Sequence, residues 1–404
     1  MSRDKAILFF GLVTYGIGQS LLYVVFGPLA RDIGLSEAQF GVLVSSSNVA
    51  IVIFSPMWGP TSESQGRKRI FILGLIGYAA GYSLLAFGIQ IGLWAVLAST
   101  PLFLMLLAAR LVYGTLASAI TPAATAYIAD TTDAANRAAG MALVAASGGI
   151  GTIIGPALGG LLAKLGPVVP MYAASSLAII AAVLSGLKLA EPARHVDASS
   201  EVKVSAFDGR VFPYLLGWFV VFMIFTGVQV IIAFYIEDRF GVTVREDVIE
   251  VASIALLSMA LVTLVVQIVV LQVWKLAPKI LLRSAYFIFA VILMIFVNAN
   301  SLLALYLCFA GMGLSIALAA PGLNAAASLA VEPDEQGAVA GWLSSAPAFG
   351  MVFGPALGGF VYNIAPDLPM VGGAVLLVLV GILYWCIRIP DPVDAGDTAS
   401  GGEA

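Results

Sequence analysis

Charge is scarce in this sequence: Asp, Glu, Lys and Arg together make up 10% of its 404 residues, while apolar residues reach 61%. Soluble domains carry about 25% charged and about 45–50% apolar residues, so a water-soluble fold is excluded. Histidine occurs once, at His195, and the two cysteines, Cys308 and Cys386, fall in separate apolar stretches, so they cannot define a metal site. The net charge of −4 and the lack of a basic run interleaved with aromatics exclude a nucleic-acid partner. There is no His-Glu-x-x-His, no pair of intramembrane aspartates and no Ser/His arrangement, so the chain is not expected to be an enzyme and no metal or cofactor is expected. The short alternating strands of a membrane barrel are missing too.

Long apolar runs are what is present. Stretches of about 20 apolar residues recur along the chain, each able to cross a hydrocarbon core roughly 30 Å thick with its backbone hydrogen bonds closed internally. They predict twelve spans, near 6–27, 39–60, 70–91, 99–126, 138–163, 168–189, 212–236, 249–272, 280–297, 301–325, 337–362 and 369–389. The first is expected to be a retained helix rather than a signal peptide, because no small-residue cleavage site precedes a soluble domain. With the N-terminus in the cytoplasm, fourteen of the nineteen Lys and Arg lie on the cytoplasmic side, among them Arg3, Lys5, Arg67, Lys68, Arg69, Arg194, Lys203 and Lys275. Four lie outside (Arg31, Lys164, Arg239, Arg245) and Arg110 lies within a span. The positive-inside rule therefore puts both termini in the cytoplasm.

The longest polar stretch between spans, Glu191 to Arg210, divides them six and six. The expected organisation is an N-terminal half at 1–190, a cytoplasmic linker at 191–211, a C-terminal half at 212–390 and a disordered tail at 391–404. The halves are copies: Gly151-x3-Gly155-Pro156-x2-Gly159-Gly160 recurs as Gly350-x3-Gly354-Pro355-x2-Gly358-Gly359, an offset of 199 that also carries Pro122 to Pro321. Arg31-Asp32-Ile33-Gly34 after the first span is echoed by Asp238-Arg239-Phe240-Gly241 after the seventh, at an offset of 207. The fold expected is an all-α membrane protein with twelve transmembrane helices in two pseudo-symmetric six-helix bundles. Parallel repeats of this kind are a known architecture of secondary transporters, with the substrate near the midplane.

Three motifs carry chemistry. The loop after the second span runs Gly59-x3-Glu63-x2-Gly66-Arg67-Lys68-Arg69, with Glu63 one helical turn before Arg67, close enough to pair, and Asp130 on the same membrane face. Read blandly it is a positive-inside anchor. The pattern resembles the signature loop of the major facilitator superfamily, with Glu63 where Asp is usual and Ser64 where Arg is common. The resemblance implies that Glu63, Arg67 and Asp130 form a charge cluster that latches the halves in one state.

Arg110, in Arg110-x3-Gly114, is a lone cation inside an apolar span, which costs about 2.5–3.5 kcal/mol on insertion scales and marks a functional candidate. It resembles the superfamily's helix-four Arg-x3-Gly motif, linked there to substrate or proton coupling; the alternative is a structural hydrogen bond to backbone carbonyls. The third motif, Gly151-x3-Gly155-Pro156-x2-Gly159, places small residues where helices approach closely and a proline that bends the helix. It resembles the motif of drug:proton antiporters. Together with Gly350, Gly354, Pro355 and Gly358, these residues are expected to form the moving interface.

By the same resemblance the cavity is lined by spans 1, 4, 7 and 10. The candidate substrate contacts are Gln19, Tyr23, Arg110, Tyr113, Gln229 and Asn324, each with an interhelical packing role as its alternative. No span carries a clear mid-membrane acid, and Gln19 stands where many of the exporters carry one. If protons are the coupling ion, Glu63 or Asp130 titrates, or an acid near the outer ends such as Asp32 or Glu237. Otherwise the chain is a uniporter or an exchanger of organic anions. The function expected is secondary active transport of a small organic solute across the cytoplasmic membrane of a bacterium by alternating access, as an exporter and a monomer in the lipid bilayer. The alternative is an importer or facilitator of a small anionic metabolite.

Overall fold

A computed structural model describes residues 3–132, 137–192, 204–270, 276–332 and 334–389. The tail at 391–404, most of the linker with Arg194, His195 and Lys203, and Lys275 lie outside the described residues. The chain is an all-α membrane protein of twelve spans, and no strand occurs among the described residues. In chain order these are α1 (Arg3–Asp32), α2 (Glu37–Gln65), α3 (Arg67–Leu93), α4 (Ser99–Ala117, continuing as Ile120–Asp130), α5 (Arg137–Ala163) and α6 (Val169–Lys188). The second repeat supplies α7 (Phe212–Phe240), α8 (Arg245–Val265, then a π-helical turn at Val266–Val270), α9 (Pro278–Val297), α10 (Leu302–Leu329), α11 (Gln336–Ile364) and α12 (Leu368–Cys386).

Eleven of these are long and apolar enough to cross a membrane on hydropathy alone. The exception, α11, has 29 residues and no charged side chain, but Gly, Ala, Ser and Pro dilute its hydropathy. Those small residues suit it for close packing instead.

The repeat is visible in how helices end. Gly34 and Gly241, at the 207-residue offset, take φ of 75° and 66°, a left-handed conformation that glycine adopts without a Cβ penalty. After Gly34, Ser36 and Gln39 cap α2 reciprocally: the Gln39 N–H donates to Ser36 Oγ at 3.2 Å and the Ser36 N–H to Gln39 Oε1 at 2.9 Å.

The repeat also breaks down locally. Pro122 and Pro321 share a register, yet α4 is interrupted at Ser118–Ala119 whereas α10 runs through Pro321 unbroken. A proline inside a helix removes a donor and clashes with the preceding turn. At the α4 break the carbonyl of Thr115 and the Ser118 hydroxyl are taken up by the indole N–H of Trp58 from α2, at 3.0 and 2.9 Å. That side-chain donor compensates for broken helix geometry where no water is at hand.

By contact the residues divide into two compact units. The first holds Met1–Ala198 together with Gln229–Ile254, so the far end of α7 and the start of α8 belong with the first repeat. The second holds Ser199–Val228 and Ala255–Ala404. Below, the "basic face" is the one carrying the α2–α3 loop, and the "opposite face" carries the α1–α2 and α7–α8 loops.

Candidate functional site

Three turns of α1 present Tyr15, Gln19 and Tyr23 at four-residue spacing, hence along one stripe. Tyr15 and Gln19 are half-buried, and the Gln19 amide donates to the Tyr15 hydroxyl at 2.8 Å. Tyr23 is buried beside Asn48 of α2.

Arg110 is 2% exposed. Its Nε donates to the Leu43 carbonyl of α2 at 3.4 Å, a second guanidinium nitrogen donates to Ser47 Oγ, and its Cζ lies 4.8 Å from the centroid of the Tyr113 ring. Gly114 explains the Arg-x3-Gly spacing. A Cβ there would stand 2.4 Å from the Ser47 carbonyl, so only glycine lets α4 lie against α2 backbone, and one turn back that closeness brings Arg110 within reach of Leu43 and Ser47. The lone cation is thus solvated by a carbonyl, a hydroxyl and a ring face rather than by a carboxylate.

Two residues of this site escaped the sequence reading. Tyr78 and Tyr82 of α3 stack at 4.8 Å, both meet Tyr113 (5.8 and 5.4 Å), and Tyr15 lies 6.2 Å from Tyr78. The Tyr82 hydroxyl donates to the Gly18 carbonyl, while the buried Tyr78 hydroxyl has no partner among the described residues. The available signal was the interleaving of Gly74, Gly77 and Gly81 with Tyr78 and Tyr82. Gly81 is what admits Tyr113, whose Cβ would lie 2.5 Å from an added methyl.

Of the other candidates, Gln229 is buried in the first unit. Asn324, exposed in the second unit, accepts a hydrogen bond from the Trp218 indole at 3.1 Å.

At the basic face Arg67 is the hub. Its Nε donates to Asp130 Oδ2 at 2.9 Å, and its Nη1 to the Gly59 carbonyl at 3.1 Å and to Ser62 Oγ at 2.7 Å. The expected pairing of Glu63 with Arg67 does not form: Glu63 is exposed and in no ion pair among the described residues. One-turn spacing holds only inside a helix, and the chain turns at Gly66 (φ 108°), between the end of α2 and the start of α3. The acid that does arrive there is Glu191, from the chain just beyond α6. Its Oε1 accepts from the Lys68 N–H at 3.4 Å in the first turn of α3, and its carboxylate would meet a Cβ on Gly66 at 2.9 Å. A negative charge at a helix N-terminus is favourable. Glu63, Arg67, Asp130 and Glu191 line a cleft of about 450 Å³.

The glycine–proline motifs do the same work in each unit. Added Cβ atoms on Gly151 and Gly155 would come within 2.4 Å of the Val13 carbonyl and 2.5 Å of the Ile17 carbonyl of α1; Gly159 faces Val25 at 3.4 Å. In the second unit Gly350, Gly354 and Gly358 of α11 meet Phe219 O, Met223 O and Gly227 O of α7 at 2.6, 2.3 and 2.8 Å. Pro156 and Pro355 are buried in these crossings. The glycines therefore face a helix of their own unit, α1 or α7.

The chain matches the family model described as the Major Facilitator Superfamily over residues 8–283 and 250–403. It is similar to multidrug resistance protein 2 of Bacillus subtilis, 29% identical over 91% of this chain and 92% of that one. It is likewise similar to the class B tetracycline resistance protein of Escherichia coli, 28% identical over 96% and 94%. Among solved structures, a bacterial homolog of the human lysosomal transporter Spinster, inward-facing and occupied, superimposes with a TM-score of 0.71 at 15% identity over 95% of each chain.

Proposed function

The chain belongs to the Major Facilitator Superfamily, and we propose that it exports small organic solutes from a bacterial cytoplasm in exchange for protons. It is an integral membrane protein and a transporter of that superfamily. The exporter reading rests on the full-length similarity to multidrug and tetracycline resistance proteins, together with the antiporter-type glycine–proline motif of α5. In this reading the basic face is cytoplasmic. The half-buried stripe of Tyr15 and Gln19, continued by the buried Tyr23, contacts the solute.

Arg110 then acts through others. Two of its five N–H groups are engaged by α2 and its face lies on the Tyr113 ring, so in this reading it positions the tyrosines. That observation favours a neutral or cationic, aromatic-compatible solute over the small anionic metabolite of the importer reading. The glycine crossings hold α1 to α5 and α7 to α11 as stiff levers. Transport is driven only if the solute binds the two states differently.

The test is expression in an efflux-deficient host exposed to a panel of antibiotics, dyes and organic acids, scored for resistance and for accumulation with and without a proton gradient. Export predicts raised resistance and lower accumulation that an uncoupler abolishes. Gradient-independent uptake would put the importer in its place. Gly155→Leu and Gly354→Leu should insert yet fail to transport, and Arg110→Lys should be strongly impaired because an ammonium cannot reproduce the guanidinium's planar contacts.

A further inference from the structure

At the opposite face Arg31 is saturated. A guanidinium has five N–H groups, and here all five are used on three carboxylates. Nε and Nη2 donate to Glu37 (3.0 and 2.6 Å), Nη1 to Glu237 (2.8 Å) and Asp238 (2.7 Å), and Nη2 also to Asp238 (2.8 Å). The same guanidinium lies 4.9 Å from the centroid of Phe234. Next to it, Asp32 accepts from Arg245 at 2.5 Å. Arg31 and Asp238 hold the same position in the two repeats, with the Arg-Asp order of the first reversed to Asp-Arg in the second, so the repeat meets itself here with complementary charge.

In these ion pairs two arginines, Arg31 and Arg245, hold four carboxylates, Asp32, Glu37, Glu237 and Asp238. Of the three carboxylates on Arg31, Glu237 is the least provided for. Glu37 and Asp238 each take two N–H groups, whereas Glu237 takes one, on a nitrogen shared with Asp238, with its side chain 19% exposed. The charged groups bearing on it are Arg31 and Asp32 of α1 and Asp238 of its own helix. Glu37 of α2 lies across the guanidinium, Arg245 of α8 neutralises Asp32, and Arg239, next along α7, makes an interaction of its own.

We propose that this cluster is the latch that closes the opposite-face ends of α1 and α7, and that closing it loads one proton onto Glu237. With the latch open, the carboxylates separate, each is hydrated and each stays ionised. Closing gathers three of them onto one cation, and like charges brought together favour protonation of one. The proton comes from bulk water on that face and converts the Glu237 carboxylate to a carboxylic acid, which still offers an oxygen to Arg31. A state that binds the extra proton is favoured by acid. Opening returns that proton to water on the same face, so the latch favours closure at acid pH without itself carrying a proton across; the proposal rests on the alternating-access reading.

The experiment measures opening directly, without a transported solute. Spin labels at Leu165→Cys and Ile364→Cys, positions 75% and 76% exposed, in a Cys308→Ala, Cys386→Ala background, report the opposite-face separation in nanodiscs from pH 5 to pH 9. The closed-to-open ratio is expected to fall with rising pH by up to about tenfold per pH unit, the limit for one proton. Glu237→Gln is expected to abolish that dependence and stay closed; Glu246→Gln, an exposed neighbour, is expected to keep it. A flat response in the unsubstituted chain, an unaltered slope in Glu237→Gln, or closure on alkalinisation overturns the proposal. Should Glu237→Gln not fold, Asp238→Asn serves instead: it removes one of the negative charges gathered on Arg31 and must move the midpoint to lower pH, and an unmoved or raised midpoint refutes the latch. If the pH response stands and nothing is exported, the transport reading falls by itself.

Discussion

The α1–α5 crossing makes the sharpest quantitative demand on the sequence, and Gly151→Ala tests it. A Cβ at Gly151 would lie 2.4 Å from the Val13 carbonyl oxygen and 2.7 Å from the Gly16 Cα, where ordinary contact starts near 3.4 Å. Both neighbours are backbone, so no side chain can swing away, and the helices must part by about 1 Å. Overpacking of this kind costs about 1–3 kcal/mol. The upper end is expected, because van der Waals contact is the main force holding helices together in a bilayer, and a gap of about 0.5–1 Å already forfeits a quarter to a half of each contact's attraction. Gly149→Ala, two residues away on the same helix, is the control: its Cβ would meet nothing within 4 Å, so its stability should lie within about 0.5 kcal/mol of the parent. Unfolding of purified protein titrated with SDS in mixed micelles measures both. Adding Gly155→Ala should cost less than the two single losses together, since one separation relieves both clashes. A Gly151→Ala protein as stable as Gly149→Ala would show that the crossing is not tight and remove the physical basis assigned to the motif. In the second unit, Gly354→Ala against Gly341→Ala repeats the comparison.

Other outcomes follow from single contacts. Asp130→Asn should lower stability by about 1.5 kcal/mol through loss of the charged hydrogen bond to the half-buried Arg67, whereas Glu63→Gln should change it by less than about 0.5 kcal/mol, both by the same SDS titration. Trp58→Phe leaves the Thr115 carbonyl at the α4 break with the Ser118 hydroxyl alone as donor and should cost about 1 kcal/mol, with faster amide exchange at Ser118–Ala119. Arg210 donates to Asp208 (2.8 Å) and Glu335 (2.9 Å), holding both carboxyls below the ordinary carboxylate range. Their contribution is therefore complete above the ordinary range and lost as pH falls through the depressed values. Thermal unfolding between pH 6 and pH 3 should show a smaller acid-induced drop in Arg210→Gln than in the parent.

Much of this protein is legible in its amino-acid order, because a bilayer leaves the chain few choices. A run of twenty apolar residues with satisfied backbone can only be a helix, so the twelve spans, the duplication at offsets of 199 and 207, and the superfamily motifs all follow from the sequence. Gly114, Gly151 and Gly354 announce close helix approach by composition alone, although not which helix they approach. What only the tertiary structure decided is partnership across long separations. Arg110 reads as a lone membrane cation, and nothing local reveals that Leu43 and Ser47, more than sixty residues earlier, supply its acceptors. Glu63 reads as the partner of Arg67 until Gly66 turns the chain and Asp130 and Glu191 take the available positions. The saturation of Arg31 by three carboxylates requires α1, α2 and α7 to converge, and a charge count along the sequence cannot show which acids share one cation. Helix identity is a local property of the chain in lipid, whereas charge pairing depends on which helices converge.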